Sequence, residues 1–412
     1  MRIQLKAPQN LQATINLPAS KSISNRALVL RALAHGTSPI SNLADCDDTM
    51  VIINAFEKGE ELVDIKAAGT AMRFLTAFYS TQPGTHTLTG TERMRQRPIS
   101  ILVDALRLLG AKIDYAEKEG FPPLRITGSQ LQSKELTLPG DVSSQYISAL
   151  LMIAPTLPNG LNLKLTGHVT SLPYIDMTLQ LMREFGASAH RSESSHPMLI
   201  EVKAGGYQDI PYIIENDWSA ASYWYEMVAL SNDADAAISL PHLRKRSTQG
   251  DSQGTELFKM LGVQTDFTAD GINIFKQGNL PHRLDADLRE MPDLAQTFVV
   301  TCCFLGIPFR FTGLHTLRIK ETDRISALIN ELHKLGFVLC AEADNALRWD
   351  GERCPVEEHP VIATYDDHRM AMAFAPAALR LKNITIDHPE VVSKSYPRYW
   401  DDLRQVGFRI DQ

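Results

Sequence analysis

Apolar residues along the chain gather into helical stretches that close on a glycine between apolar neighbours, and a short run of β character follows each one. The clearest closures are Leu109-Gly110-Ala111, Leu261-Gly262-Val263, Leu335-Gly336-Phe337 and Val406-Gly407-Phe408, with Phe185-Gly186-Ala187 and a degenerate Lys58-Gly59 as variants. Glycine suits the position just past a helix because it enters the left-handed conformation freely. From Gly110 onward these glycines recur about every 70 to 76 residues, too long for a solenoid repeat and long enough for a βαβαββ unit. Helix starts rich in Ser, Thr, Asp or Gly keep the same phase, at Ser22, Thr70, Ser143, Asp217, Asp293 and Asp367. Six units are predicted. Strand pairs recur after the helices, 112–114 with 124–127, 188–190 with 199–202 and 264–267 with 272–275. The sixth unit stops after 408–410, so its missing strands are expected from the amino-terminal runs 2–5 and 13–17. The first unit is short by about 20 to 25 residues, with one helix and one strand candidate, 62–66, between Asp48 and Gly69, as if one hairpin were missing. Three units per globe give an α/β protein of two domains, 18–214 and 1–17 plus 215–412. The simpler alternative is two unrelated α/β domains with chance glycines.

A chain of 412 residues exceeds the usual size of one hydrophobic core, which agrees with two domains. The net charge of -7 repels polyanions as a whole, so a bound anion must be drawn by a local cluster of Lys and Arg, and nucleic acid is disfavoured. Cys46, Cys302, Cys303, Cys340 and Cys354 are odd in number without C-x-x-C spacing, which predicts reduced, mostly buried thiols and no metal site. No segment approaches the roughly 20 apolar residues of a membrane span and no basic-then-apolar leader is visible, so a cytoplasmic protein without membrane contact is expected.

Candidate chemistry lies at the helix starts, where free backbone N–H groups and the positive end of the dipole join cationic side chains. The clusters are Lys21-Ser22 with Arg26, Gly69 to Arg73, Arg93 to Arg97, Ser143-Ser144-Gln145, Pro292-Asp293, Lys320 to Arg324, Asp366 to Arg369, and Lys394. Lys320 and Arg324 are predicted one helical turn apart with Glu321 beside them, able to hold an anion next to a proton carrier. Each cluster also has a plain reading: capping serines, solvated cations, an exposed ion-pair ladder, a structural histidine. Neither a Walker A sequence nor a G-x-G-x-x-G follows a strand, which weighs against nucleotide hydrolysis and dinucleotide binding. If the six helix starts face a common cleft, Lys21, Arg26, Arg97, Arg324, Arg369 and Lys394 converge on it, a setting for small polyanions.

Seven segments, in order and over nearly the whole chain, resemble the 3-phosphoshikimate 1-carboxyvinyltransferase family of enolpyruvyl transferases. They are Lys21-Ser22 with Asn25-Arg26, Ala68 to Arg73, Arg93-Met94 with Arg97-Pro98, Ser143-Ser144-Gln145, Pro173-Tyr174-Ile175-Asp176, Lys320 to Arg324, and Asp367-His368-Arg369-Met370-Ala371-Met372. The resemblance implies two globes of three βαβαββ units, an inside-out α/β barrel arrangement, closing on ligands in the cleft between them. It implies a monomeric glyphosate target that needs no cofactor and acts in the shikimate pathway toward chorismate and aromatic amino acids. Its reaction would move the enolpyruvyl group of phosphoenolpyruvate to the 5-hydroxyl of shikimate 3-phosphate through a tetrahedral intermediate, releasing phosphate. By the resemblance, Lys21, Ser22, Arg26, Ser143, Ser144, Gln145, Ser171, Tyr174, Asp293, Thr316 and Lys320 contact shikimate 3-phosphate. Lys21, Gly69, Arg97, Gln145, Arg324, Arg369 and Lys394 grip phosphoenolpyruvate. The implied catalytic set is Asp293 as base, Glu321 as carrier of the C3 proton, Lys21 at the bridging oxygen, and His368 in support of Glu321.

Three positions depart from the family pattern: Ala67 where an asparagine is usual, Phe74 in place of proline, and Leu172 in place of a frequent lysine. Two alternatives stay open. A UDP-N-acetylglucosamine enolpyruvyl transferase shares the fold but employs a loop cysteine, and no cysteine lies between Cys46 and Cys302. A non-catalytic anion-binding paralogue would account for the shortened first unit.

Overall fold

The computed structural model describes residues 1–192, 197–343 and 345–412, and the chain divides into two compact units, Ala19–Ile214 and Met1–Pro18 with Glu215–Gln412. Each unit has its own apolar core.

In the unit 19–214 the core is built on helices α1 (Lys21–Leu33), α2 (Gly69–Thr81) and α3 (Ser144–Ile153). Segments such as Tyr146 to Ile153 are buried on every side, as an apolar helix without a polar face must be. Around them lie two four-stranded sheets. In the first, Leu62–Asp64 runs parallel to Thr85–Thr89, which pairs antiparallel with Leu124–Thr127, and that strand with Lys112–Tyr115. In the second, Glu135–Pro139 runs parallel to Leu161–Thr166, followed by Met198–Val202 and Ala189–Arg191 in antiparallel order. One parallel pair plus a hairpin is the signature of βαβαββ, because a parallel pair needs a crossover helix and an antiparallel pair only a turn. Strand Leu161–Thr166 alternates buried and exposed residues, so one face packs on the helices and the other meets water. The first repeat is reduced to Ile40–Ser41, which pairs in parallel with Tyr212–Ile213 as a two-stranded sheet. Its strand candidate 62–66 belongs to the next sheet and ends at Asp64, because Lys66 turns into the left-handed region at φ 51.

The other unit is centred on α4 (Trp218–Leu230), α5 (Ala295–Leu305), α6 (Arg324–Lys334) and α7 (His368–Phe374). Its three sheets repeat the same pairing scheme. The expectation for the amino-terminal runs holds for one of two. Arg2–Lys6 inserts between Ile384–Asp387 and Arg409–Asp411 and completes the sixth sheet. Gln12–Thr14 instead runs parallel to Ala237–Pro241 and supplies the leading strand of the fourth repeat. The sixth repeat already has its parallel pair in Val361–Ile362 and Ile384–Asp387, so one added strand fills it. A second correction concerns Lys320 and Glu321, which precede the helix rather than lie in it. Asp323 caps α6 by accepting the Ser326 N–H at 3.1 Å, so the helix begins at Arg324.

All five cysteines are free; Cys46, Cys302 and Cys303 are buried, Cys354 is half-buried and Cys340 is exposed. No helix among the described residues is long and apolar enough to cross a membrane.

Glu226, on α4, is wholly buried in this core. The hydroxyl of Thr301 is committed to the carbonyl of Thr297 at 2.7 Å, and both oxygens of Glu226 lack a hydrogen-bond partner among the described residues. Burial pushes its carboxyl well above the usual range, with Thr301 acting weakly the other way. The folded state therefore keeps a proton that the unfolded chain releases. That stabilising contribution is fully present below the unfolded pKa of about 4.3 and is lost as pH rises through the folded value. Glu226→Gln removes the slope, so the variant should match wild type near pH 4 and exceed it at pH 8 by about 1–3 kcal/mol in urea unfolding. Equal stability differences at both pH values would show that the carboxyl is not held protonated.

Candidate active site

In the unit 19–214 the helix starts collect the expected residues. Lys21 opens α1 with its Nζ 3.1 Å from Asp48 Oδ2, and Ser22 follows half-buried. Arg26, one turn on, is 3% exposed and spends its donors inside the unit: Nε on Thr178 Oγ1 (2.7 Å), Nη1 on the Ser22 carbonyl (2.9 Å) and Nη2 on Ser148 Oγ (3.1 Å). Burial lowers its pKa to about 10, opposed by Tyr174, and its guanidinium sits 5.2 Å from the centre of the Phe74 ring. Phe74, one of the departures, thus lies in the core beneath Arg26.

Gly69 starts α2, where an added Cβ would stand 2.6 Å from Arg97 Nη1, so glycine makes room for that guanidinium against the helix start. Arg73 ties the two segments together by donating to the Gly69 carbonyl at 3.2 Å and to the Pro98 carbonyl at 3.1 Å. Ser143 caps α3, accepting the Gln145 N–H at 3.3 Å, and Gln145 Nε2 donates to Thr70 Oγ1 at 3.2 Å, which joins the starts of α2 and α3. Ser144 is half-buried beside them. Ser171 stands at φ 53 ahead of the helix Leu172–Glu184, which carries Tyr174 in its first turn. Ala67 is exposed and Leu172 half-buried.

In the other unit the charges interlock. Asp293 Oδ1 lies 3.1 Å from Arg324 Nη1 and 3.5 Å from Lys320 Nζ, and its Oδ2 lies 2.8 Å from Arg369 Nη2. Glu321 bridges Arg324 Nη2 (3.1 Å) and Lys394 Nζ (3.0 Å). Asp367 accepts Arg324 Nε at 2.7 Å and Nη2 at 3.3 Å, and its side chain also caps α7 by accepting the Arg369 N–H at 2.9 Å. Taking a charge out of water costs several kcal/mol, while one contact near 4 Å returns about 4 kcal/mol at an effective dielectric of about 20. A single partner would barely offset the burial of Arg324, which is 1% exposed; three carboxylates do.

Asp293 is pulled in two directions, upward by burial and downward by Arg369, Lys320 and Arg324 together, and the cations win, leaving it well below the usual carboxylate range. His368 is buried with Nδ1 3.7 Å from Asp367 Oδ1. Thr316 is half-buried on the turn His315–Ile319 that leads into Lys320.

Of the acids that balance these cations, Asp293 and Glu321 are expected from the sequence and two others are not. Asp48 and Asp367 belong to these clusters, and Asp367 was legible only as a helix cap, which it also is. Tyr223, whose hydroxyl accepts from Arg369 Nη1 at 3.3 Å and is raised to about 12 by burial, sits in an apolar run that carries no signal. Asp251 is buried against Ser219, and its pKa is raised by burial and by the charge of Asp293. Among the described residues no group of His, Cys, Asp and Glu has the arrangement of a metal site.

A family profile described as EPSP synthase (3-phosphoshikimate 1-carboxyvinyltransferase) matches residues 5–58 and 51–403. A 3-phosphoshikimate 1-carboxyvinyltransferase of Bacteroides fragilis is 60% identical over 410 residues, covering 100% of this chain and 99% of the relative. One from Sulfurovum is 36% identical, covering 98% and 99%. The solved structure of EPSP synthase from Acinetobacter baumannii aligns over 100% of both chains with a TM-score of 0.77 at 22% identity, a likeness of fold. With the family profile spanning most of the chain and relatives of this identity along its full length, the chain belongs to the EPSP synthase family.

Proposed function

We propose that the protein transfers the enolpyruvyl group of phosphoenolpyruvate to the 5-hydroxyl of shikimate 3-phosphate. The observation that carries the reading is the Asp293, Glu321, Arg324, Arg369 and Lys394 cluster, which sets two carboxylates among cations that an incoming anion can claim.

Asp293 is a weak base while three cations hold it. Phosphoenolpyruvate brings a carboxylate and a phosphate to Arg324 and Arg369, whose forked donors suit both. As the arginines turn to the substrate, their hold on Asp293 loosens and its proton affinity rises. The substrate thereby prepares the base. Asp293 accepts the 5-hydroxyl proton as the oxygen bonds to C2, and Glu321, which takes up a proton from solvent as phosphoenolpyruvate claims Arg324 and Lys394, delivers it to C3. The tetrahedral intermediate then loses phosphate: Glu321 recovers a proton from C3, the C2–C3 double bond reforms, and the bond from C2 to the phosphate oxygen breaks, Asp293 returning its proton to that oxygen as Lys21 counters the charge developing there. His368 supports Glu321 through the Asp367 and Arg324 pair. Lys21, Ser22, Arg26, Ser143, Ser144, Gln145, Ser171, Tyr174, Thr316 and Lys320 orient shikimate 3-phosphate, Arg26 chiefly by shaping the wall. Gly69, Arg97, Gln145 and Lys394 complete the grip on phosphoenolpyruvate. Positioning of two bound reactants can contribute on the order of 7–11 kcal/mol, and the proton transfers above use side chains of this chain.

Phosphate release from phosphoenolpyruvate tests the reading. It should require shikimate 3-phosphate and be silent with UDP-N-acetylglucosamine. Release with the nucleotide sugar alone, or silence with both in folded protein, would replace it.

A further inference from the structure

Helix α6 grips the segment ahead of α7 at two points. At its start Arg324 holds Asp367, and two turns on the fully buried Glu331 holds residues 361–365. Glu331 Oε2 accepts the Ala363 N–H at 2.9 Å and Lys334 Nζ at 2.7 Å, while Oε1 accepts the Tyr365 hydroxyl at 2.7 Å. Lys334 Nζ also donates to the Val361 carbonyl at 3.0 Å. Between the two anchors Tyr365 and Asp366 both stand at φ 54, a region that residues with a Cβ rarely occupy. Two such residues in succession persist only where surrounding contacts over-determine them, and Glu331 supplies those contacts from outside the turn. The turn delivers Asp367, His368 and Arg369 in order.

We infer that Glu331 is a positioning residue for the phosphoenolpyruvate grip: by fixing the Tyr365-Asp366 turn to α6, it sets where Arg369 stands relative to Arg324. The inference rests on the reading of those two arginines as anion ligands. One helix carries the first arginine at its start and places the second through Glu331, so their spacing is built into a single element. A bidentate grip on a small anion tolerates little error in that spacing. A staple that merely held α6 to the strand Val361–Ile362 would change stability and leave substrate affinity alone.

Tyr365→Phe and Glu331→Gln separate the two roles. Tyr365 is 37% exposed, and losing its hydroxyl leaves the contacts of Glu331 with Ala363 and Lys334 in place. One lost hydrogen bond should raise KM for phosphoenolpyruvate about fivefold in Tyr365→Phe, with kcat changing less and the melting temperature lowered by only about 2–4 °C. Glu331→Gln keeps an acceptor of the same shape but loses the charge facing Lys334, and should raise that KM by about tenfold or more. It should also outperform Glu331→Met, which fills similar space but cannot accept the Ala363 and Tyr365 bonds, a difference that a packing role would not produce. Calorimetric binding of inorganic phosphate should weaken by similar factors, and that arm reads the spacing of the arginines even if phosphoenolpyruvate proves not to be the substrate. Unchanged KM and unchanged phosphate affinity in folded Tyr365→Phe and Glu331→Gln would overturn the inference. Should Glu331→Gln fail to fold, Tyr365→Phe decides alone.

Discussion

Glu321→Gln should lose turnover by a factor of about 10²–10⁴ while KM for both substrates stays within a few-fold of wild type, because the change removes a proton carrier and keeps its outline. The carboxylate bridges Arg324 and Lys394, and an amide of the same shape can still accept a hydrogen bond from either cation. What it cannot do is give and recover the C3 proton. With less negative charge between the two cations, phosphoenolpyruvate should bind as well or better, so kcat falls and KM does not rise. Solvent deuterium supplies a second readout. Wild type run in heavy water should wash deuterium into C3 of the enolpyruvyl product, and the variant should lose that exchange together with turnover. Wild-type turnover in Glu321→Gln would refute the assignment.

The largest effect on stability is expected at Arg324. It touches Asp293, Glu321 and Asp367 at once. Arg324→Met fills similar space but takes the arginine from buried Asp367 and removes one of the cations that hold Asp293 and Glu321, and breaking a buried pair from one side costs about 3–5 kcal/mol. The pH dependence follows from Asp293, whose folded pKa is depressed. In wild type that depression contributes stability above the unfolded value of about 3.9 and loses it as pH falls through the folded value. In the variant the share that Arg324 supplies is lost while Arg369 and Lys320 still act on Asp293, so the deficit should hold from neutrality to about pH 4 and shrink below it. Urea unfolding at pH 7 and at about pH 2.5 measures both values. A deficit independent of pH would mean that lost packing, and not stranded charge, destabilises the variant.

Much of the fold was legible because it repeats. Glycines such as Gly186 and Gly262 end helices in the left-handed region, at φ 87 and 81, and their spacing exposed the period. Strand partners across a hairpin, as between Val263–Phe267 and Gly271–Lys276, follow from proximity along the chain. The partner of Gln12–Thr14 lies more than 200 residues away, and nothing local to that run distinguishes the fourth sheet from the sixth. The Lys320 to Arg324 segment shows a different failure: its charge spacing fits a helix, but the cap formed by Asp323 starts the helix four residues later than Lys320. At the site the cations were readable as types in a pattern. Their acids were harder, since Asp367 obeys the rule for a helix cap and gives no sign of also holding Arg324 from the preceding helix. Phe74 is the reverse case, a departure next to site residues that the structure places in the core beneath Arg26.

The interleaving of residues 2–6 and 12–14 with strands from the far end of the chain also sets an order of assembly during synthesis. The unit 19–214 has all its strands once residue 214 is made. The first strand of the chain must wait for Ile384–Asp387 and Arg409–Asp411, a delay of roughly 20–80 s at 5–20 residues per second. Once residue 214 is made, a nascent chain carries the finished unit 19–214 and, ahead of it, two short β segments with unsatisfied edges; Gln12–Thr14 finds its partner soon after, in Ala237–Pro241, and Arg2–Lys6 stays open to wrong pairing or to capture by a chaperone until the last strands emerge.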